Sequence, residues 1–342
     1  MSEQVVLLAH GSGGLLSHEL VSSLFLKYLG NPILNALEDA SNLPLGDASE
    51  LLGGQLVFTT DSYVVKPLFF PGGDIGKLAI CGTVNDLAMR GAVPLYLSAG
   101  FILEEGLPLR DLERVLVSMA TTAEAAGVRI VAGDTKVVER GSVDKLFINT
   151  AGLGLVPPGV RISATAARPG DLILLSGAIG DHGLAIMTQR EGLRFQTPLQ
   201  SDCAPLNSLV SAMLAASRRI HTLRDPTRGG LASALNEIAT QSAVGMEIEE
   251  QAVPIHEPVR AAGDLLGLDP FYVANEGKLI AIVEREDAQA ILEAMRAHPY
   301  GQEAAIIGQV TAEHPGRVVL RTILGTRRLM DMLAGEQLPR IC

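Results

Sequence analysis

Runs of apolar and polar residues divide the chain into two stretches that alternate strand-like and helix-like patterns. LVFTTDSYVV (56–65) is rich in β-branched residues and predicts a strand. Leu109, Leu112, Leu116, Met119, Ala120 and Ala123 recur at helical spacing between Pro108 and Gly127, which predicts an amphipathic helix with a proline entry and a glycine exit. VRIVAGDT (128–135) predicts a buried strand ending in a polar turn, and KLFINTAGLGLV (145–156) another long strand. Pro157, Pro158 and Gly159 then mark a boundary. In the second half, DLILLSGAIGDHG (171–183) predicts an apolar strand running into a glycine turn, and ALNEIATQ (234–241) and AQAILEAMRAHP (288–299) continue the mixed pattern. After RVVLRT (317–322) the strand pattern gives out. The expectation is an α/β (α+β) chain of two domains, 1–157 and 158–322, followed by a mobile tail, 323–342. At roughly 3.3 Å per extended residue, such a tail carries its last residue far from its anchor.

Composition narrows the classes of function. The 342 residues, 47% of them apolar, suffice for two buried cores. A net charge of -11 repels phosphate backbones and anionic membranes, and with no Trp there is little aromatic surface for stacking bases, so nucleic acid and membrane partners are not expected. The acidic surplus suits Mg²⁺. No apolar run approaches the roughly 18 residues of a membrane span, and MSEQVVLLAHGSGG does not read as a signal peptide, so a cytoplasmic location is expected. Cys81, Cys203 and Cys342 are widely scattered, without disulfide-framework or paired zinc spacing, and are expected as reduced thiols. Cys342 closes LPRIC (338–342), either by accident of composition or as a functional thiol; a prenylation box would need it four residues from the end.

Five short stretches combine glycine with carboxylates or bases: HGSGG (10–14), TTDS (59–62), CGTVNDLAMRGA (81–92), AGDTK (132–136) and GDHG (180–183). HGSGGLLSHEL is either a phosphate-covering loop or an ordinary glycine turn, and neither GxxxxGK[ST] nor GxGxxG is present. Asp61, Asp86 and Asp134 are expected beside strand ends or in turns into helices, where α/β proteins assemble ligand sites, with Asp47 a fourth candidate. Each is equally open to a capping or turn role. In DPTRGG (225–230), Asp225, Thr227 and Arg228 precede a helix-like run and suit an anion contact or a simple N-cap. ANEGKL (274–279) reads on chemistry alone as a surface turn carrying Glu276 and Lys278. His10, His18 and His182 lack HExxH spacing or a serine elbow.

Taken together, AHGSGG, TTDSYVVKPLFFPGGDIGKLAICGTVNDLAMRGA, GFILEEGLP, AGDTKVV, DKLFINTAG, GDHG, TRGG, ANEGKL and PRIC resemble the HypE family of NiFe hydrogenase maturation proteins along essentially the whole chain. That family is similar to aminoimidazole ribonucleotide synthetase and selenophosphate synthetase, which use ATP without a P-loop. The resemblance implies a two-domain PurM-like fold whose N-terminal domain pairs in a homodimer, and it implies ATP with Mg²⁺. It further implies that Cys342 receives a carbamoyl group from the carbamoyltransferase HypF and carries it through ATP-dependent dehydration to a thiocyanate. A HypC–HypD complex then accepts the cyanide. Under the resemblance Glu276 is the candidate base and Lys136 its charge partner. Gly11, Gly13, Gly14, Asn85, Thr135, Thr227 and Arg228 join His10 on the nucleotide; Asp47, Asp61, Asp86, Asp134 and Asp225 are the candidate metal ligands. LGDAS offers only Asp47 where the superfamily often has adjacent acids. A selenophosphate synthetase-like enzyme is the enzymatic alternative, although the glycine loop has no cysteine; a non-catalytic thiol scaffold is the other.

Overall fold

A computed structural model of the protein describes residues 14–29, 31–43, 54–193, 199–333 and 341–342. In the N-terminal half, β1 (Ser41–Asn42) and β2 (Gln55–Tyr63) are followed by a small hairpin, β3 (Phe69–Phe70) and β4 (Gly73–Asp74), and then by helix α1 (Ile75–Met89). Next come β5 (Val93–Glu104), helix α2 (Leu109–Ala126), β6 (Arg129–Val138) and β7 (Leu146–Val156). The five longer-range partners form one sheet in the order β1-β2-β7-β5-β6. Only β5 and β6 run parallel, because α2 carries the chain back between them.

Helix α2 occupies the span expected from its periodicity, closed by Gly127 in the left-handed region. Helix α1 is different, being buried on nearly every side. Asp74 caps it, its carboxylate accepting from the N–H groups of Gly76 and Lys77 at 2.7 and 3.0 Å. Its inner side packs with Tyr63, Leu97 and Ile148 of the sheet, while Ala88 and Met89 join the core of the second domain. Gly82 is needed there, since a Cβ would lie 2.2 Å from the Tyr63 hydroxyl oxygen.

The second half supplies β8 (Leu172–Leu175), α3 (Asp181–Arg190), α4 (Asn207–Ala216), β9 (Ile220–Arg224), α5 (Gly230–Gln241), β10 (Gly245–Glu249) and α6 (Glu257–Leu266). It ends with β11 (Ile280–Val283), α7 (Ala288–Arg296), β12 (Ala305–Thr311), β13 (Val318–Arg321) and β14 (Arg327–Leu329). The sheet order is β14-β13-β10-β12-β8-β11-β9. Alternation divides the apolar central strands between two cores: Ile173, Ile280 and Ile282 face Leu231, Leu235 and Ile238 of α5, and Leu174, Ala281 and Val283 face Leu209 and Met213 of α4 and Ile291 of α7. No helix among the described residues is long and apolar enough to cross a membrane.

Three expectations change. The chain after Thr322 does not leave the sheet: β14 pairs antiparallel with β13, Met330 is buried, and Asn236 donates to the Met330 carbonyl at 2.7 Å. Strand character is hidden there because an edge strand such as RRL need bury no side chain. AGDTK is no terminal turn but lies inside β6, an exposed edge strand. CGTVNDLAM is the body of α1, so Asp86 stands in a helix rather than at a strand end.

Candidate functional site between the two domains

The sheet of the first domain and the β9–α5 junction of the second face each other across a cleft of about 290 Å³. β2 contributes Thr59, Thr60 and Asp61, and α1 contributes Gly82 and Asp86. Asp39, which precedes β1, also faces the cleft. Across from them lie Arg224, Asp225, Thr227, Arg228, Glu237, Glu276 and Cys342. Apolar packing of α1 against both domains forces these polar groups together, since every other side of the helix is already covered.

Carboxyl groups crowd the cleft. Thr59 donates to Asp86 at 2.8 Å, yet burial and then the charges of Asp225, Asp61 and Asp39 hold Asp86 well above the usual carboxylate range. Burial raises Asp225 to about 6 and Asp39 to about 7, in each case against the opposing pull of Arg224. Arg224 is clamped between Asp39 at 2.5 Å and Glu237, which also meets His18 at 3.0 Å. The buried Glu276 is raised by its burial and then by Cys203 and Asp225, and its Oε1 has no hydrogen-bond partner among the described residues. Raised carboxyl groups facing one space mark a site made to receive positive charge.

That donor chemistry fits Mg²⁺ bound together with phosphate oxygens. Among the described residues no three His, Cys, Asp or Glu side chains already form a metal cage, and Mg²⁺ commonly takes one or two carboxylates with phosphates and waters instead.

The end of the chain is seated in the same cleft. Ile341 is buried in the first domain's core; the Val64 N–H donates to the Cys342 carbonyl at 3.2 Å, and His182 Nε2–H to the Ile341 carbonyl at 3.0 Å. The tautomer follows from the partners: Ser201 Oγ accepts from the Cys203 N–H at 3.1 Å, so its own hydrogen is free to donate to His182 Nδ1 at 2.7 Å. Burial pushes the Cys342 thiol up to about 12, with Arg228 pulling the other way and Glu276 and Asp61 adding to the rise. The three cysteines, far apart in sequence, belong to one apolar cluster.

The sequence candidates therefore divide. Asp61, Asp86, Asp225, Thr227, Arg228, Glu276 and Cys342 meet in the cleft. The expected surface turn at ANEGKL is corrected: Asn275 and Glu276 are buried, because the Asn275 amide accepts from the Gly180 N–H and donates to the Pro226 carbonyl, and the Asp202 carboxylate accepts from the Glu276 N–H. Asn85 is not free to meet a nucleotide. Its amide donates to the Ala204 carbonyl at 3.1 Å and accepts from the Leu206 N–H at 2.7 Å, tying α1 to the second domain. Gly14 packs against Leu333, where a Cβ would lie 2.3 Å from the Leu333 carbonyl oxygen. Asp134, Thr135 and Lys136 are exposed on β6, away from this cleft, with Lys136 3.0 Å from Asp134. His10, Gly11, Gly13 and Asp47 lie outside the described residues. Sequence reasoning missed Asp39, Arg224 and Glu237, whose ion pairs join distant segments, and it gave His182 no role, although GDHG was singled out.

The cleft and the paired domains define a class: residues 46–156 match the AIR synthase related protein N-terminal domain, and residues 168–321 its C-terminal domain. A carbamoyl dehydratase HypE from Azotobacter vinelandii is 57% identical over 335 residues, covering 98% of this chain and 96% of that one. Among solved structures, the hydrogenase maturation protein HypE in complex with ATP has 54% identity and a TM-score of 0.82, covering 99% of this chain and 100% of that one. The HypE–HypF complex has 50% identity and a TM-score of 0.86, covering 92% and 99%. The chain belongs to the HypE family.

Proposed function

We propose that the chain is an ATP-dependent carbamoyl dehydratase of NiFe hydrogenase maturation, acting on its own Cys342. The observation that carries this reading is the seat of Cys342 between Arg228 and Glu276, opposite Asp61, Asp86 and Asp225. A relative solved with ATP supports the nucleotide, and one solved with HypF supports that carbamoyltransferase as the carbamoyl donor. A HypC–HypD complex as cyanide acceptor and a cytoplasmic location belong to the same reading.

With a thiol raised to about 12, Cys342 is a poor nucleophile in the cleft, so it acquires its carbamoyl group undocked and returns as the thioester-like amide. The amide oxygen then attacks the γ-phosphorus of ATP and ADP leaves. Loss of one nitrogen-bound proton to a base, and of the second together with the phosphate, which departs as hydrogen phosphate, forms the C≡N bond and leaves S-cyano Cys342. Arg228 and Thr227 face the developing negative charge. Glu276 receives the nitrogen's proton: buried and strongly basic, it is suited to this once positive charge in the loaded site lets it ionise. Mg²⁺, when bound, supplies positive charge to the phosphates, with Asp61, Asp86 and Asp225 as its holders in this chain.

Lys136 and Asp134 act in this reading across a homodimer, on the cleft of a second copy. Support comes from the outer face and edge of the first sheet, where Tyr96, Ile102, Val131 and Val137 are exposed beside them. The test of function is mass spectrometry of the C-terminal peptide after incubation with HypF, carbamoyl phosphate and ATP. The carbamoylated peptide should lose the elements of one water. Cys342→Ala should show neither adduct, and Glu276→Gln should stall at the carbamoylated form; conversion by Glu276→Gln at the wild-type rate would overturn its role as base.

A further inference from the structure

Strand β9 ends in the catalytic cleft at Arg224, just before Asp225, and it begins in another one. This second cleft, of about 570 Å³, lies where the end of α1, the segment linking the domains and the start of β9 converge. Its size is that of a small-molecule site. Its floor includes Val160, Ile162 and Ile220, and Arg90, Arg161, Arg168, Arg218 and Arg219 face it. In a chain of net charge -11 this concentration of guanidinium groups is unexpected.

Part of that charge is already matched. Arg219 pairs with Glu284 at 3.0 Å and with Asp287, and His221 pairs with Asp171 at 2.8 Å. Arg161, Arg168 and Arg218 have no carboxylate partner among the described residues; the one recorded contact of the Arg218 guanidinium is with the Pro158 carbonyl at 2.7 Å. Arg90 adds an independent sign. Its side chain is 7% exposed and its Nη1 lies 2.7 Å from Glu38 as an ion pair, but neither Nη1 nor the buried Nε has an acceptor in hydrogen-bond geometry among the described residues. Burying a guanidinium N–H without an acceptor is costly, so a ligand that supplies an oxygen there is favoured.

We propose that this cleft is a second anion site, binding a phosphate ester of nucleotide size. Its phosphate oxygens meet Arg161, Arg168 and Arg218, with Arg90 Nε beneath them, and its apolar body lies over Val160, Ile162 and Ile220. Guanidinium forks match phosphate oxygens in pairs, which is the chemistry that selects this ligand over a monovalent ion. The site is separate from the catalytic cleft, but the two meet through adjacent residues: Glu38 pairs with Arg90 in one, and Asp39 with Arg224 in the other.

The test is equilibrium dialysis of the full chain with ADP and Mg²⁺, and separately with inorganic pyrophosphate, comparing wild type with Arg161→Gln/Arg218→Gln. Both side chains are exposed, and an unchanged melting temperature verifies that the double variant folds; Arg168→Gln serves if it does not. Wild type should bind two ADP per chain and the variant one, while pyrophosphate affinity falls about tenfold or more. If ADP stays at one per chain in both while pyrophosphate affinity still falls tenfold, the phosphate site stands and its ligand is a free phosphate anion. Equal pyrophosphate binding by wild type and variant would overturn the proposal.

Discussion

Replacing His182 by Ala tests whether the docked tail is held by the imidazole. The ring's Nε2–H serves the Ile341 carbonyl at 3.0 Å, and the ring stands edge-on to Phe70 with centroids 5.6 Å apart. A buried carbonyl left without a donor costs about 1–3 kcal/mol, whereas the contact with Phe70 is made whether or not the tail is docked and cancels. A water entering the vacated space recovers part of this. Docking should therefore weaken by about 0.5 to 3 kcal/mol, or roughly 2- to 140-fold, at 1.4 kcal/mol per factor of ten. The assay is alkylation of Cys342 by a maleimide, followed on the C-terminal peptide by mass spectrometry so that Cys81 and Cys203 do not contribute. The docked thiol is half-buried and held protonated, so labelling reports mainly the undocked fraction. Ser201→Ala, which removes the group that fixes the tautomer, should speed labelling in the same direction by less. Equal labelling rates in wild type and His182→Ala would refute the reasoning, because the hydrogen bond would then contribute nothing to docking.

Three further outcomes follow from the same geometry. Asp225 and Asp39 hold protons in the folded cleft up to about 6 and about 7, where an unfolded chain has already released them; their stabilisation is full below the usual carboxylate range and is lost as pH rises through those values. The nucleotide-free protein should thus melt at lower temperature at pH about 8 than at about 6, and Mg²⁺ with ATP should release protons on binding, read by calorimetry in buffers of different ionisation enthalpy; a flat or rising melting profile without proton release would count against the carboxyl cluster. Gly82→Ala should cost about 1–3 kcal/mol in urea unfolding, and Tyr63→Phe in the same chain should restore part of it, since the clash is with the tyrosine hydroxyl. Lys136→Ala and Glu276→Gln chains, inactive separately, should regain dehydration when mixed into dimers if Lys136 serves a second copy's cleft.

Helix α2 was legible because one face packs against α1 and the other meets water, so its burial is written into a 3.6-residue repeat between Pro108 and Gly127. Helix α1 was not. Covered by two domains, it has no polar face, and its glycines read as turn residues although Gly82 is there to admit Tyr63. β14 was missed for the opposite reason, since an exposed edge strand needs no apolar alternation; β6 was expected as a strand, but its apolar start read as buried and its AGDTK as a turn, whereas the edge strand is exposed and runs through both.

Local sequence determined the alternation of elements, the absence of a P-loop and the residue types available for phosphate, metal and thiol chemistry, because these depend on neighbours within a few positions. Tertiary structure decided which of them share a site. Folding set Asp61, Asp86, Asp225, Arg228, Glu276 and Cys342 around one cleft, left Asp134 and Lys136 on an edge strand and occupied the Asn85 amide in joining the domains. It also raised the carboxyl groups and the thiol above their ordinary values, an effect of desolvation and crowding that a linear sequence does not contain.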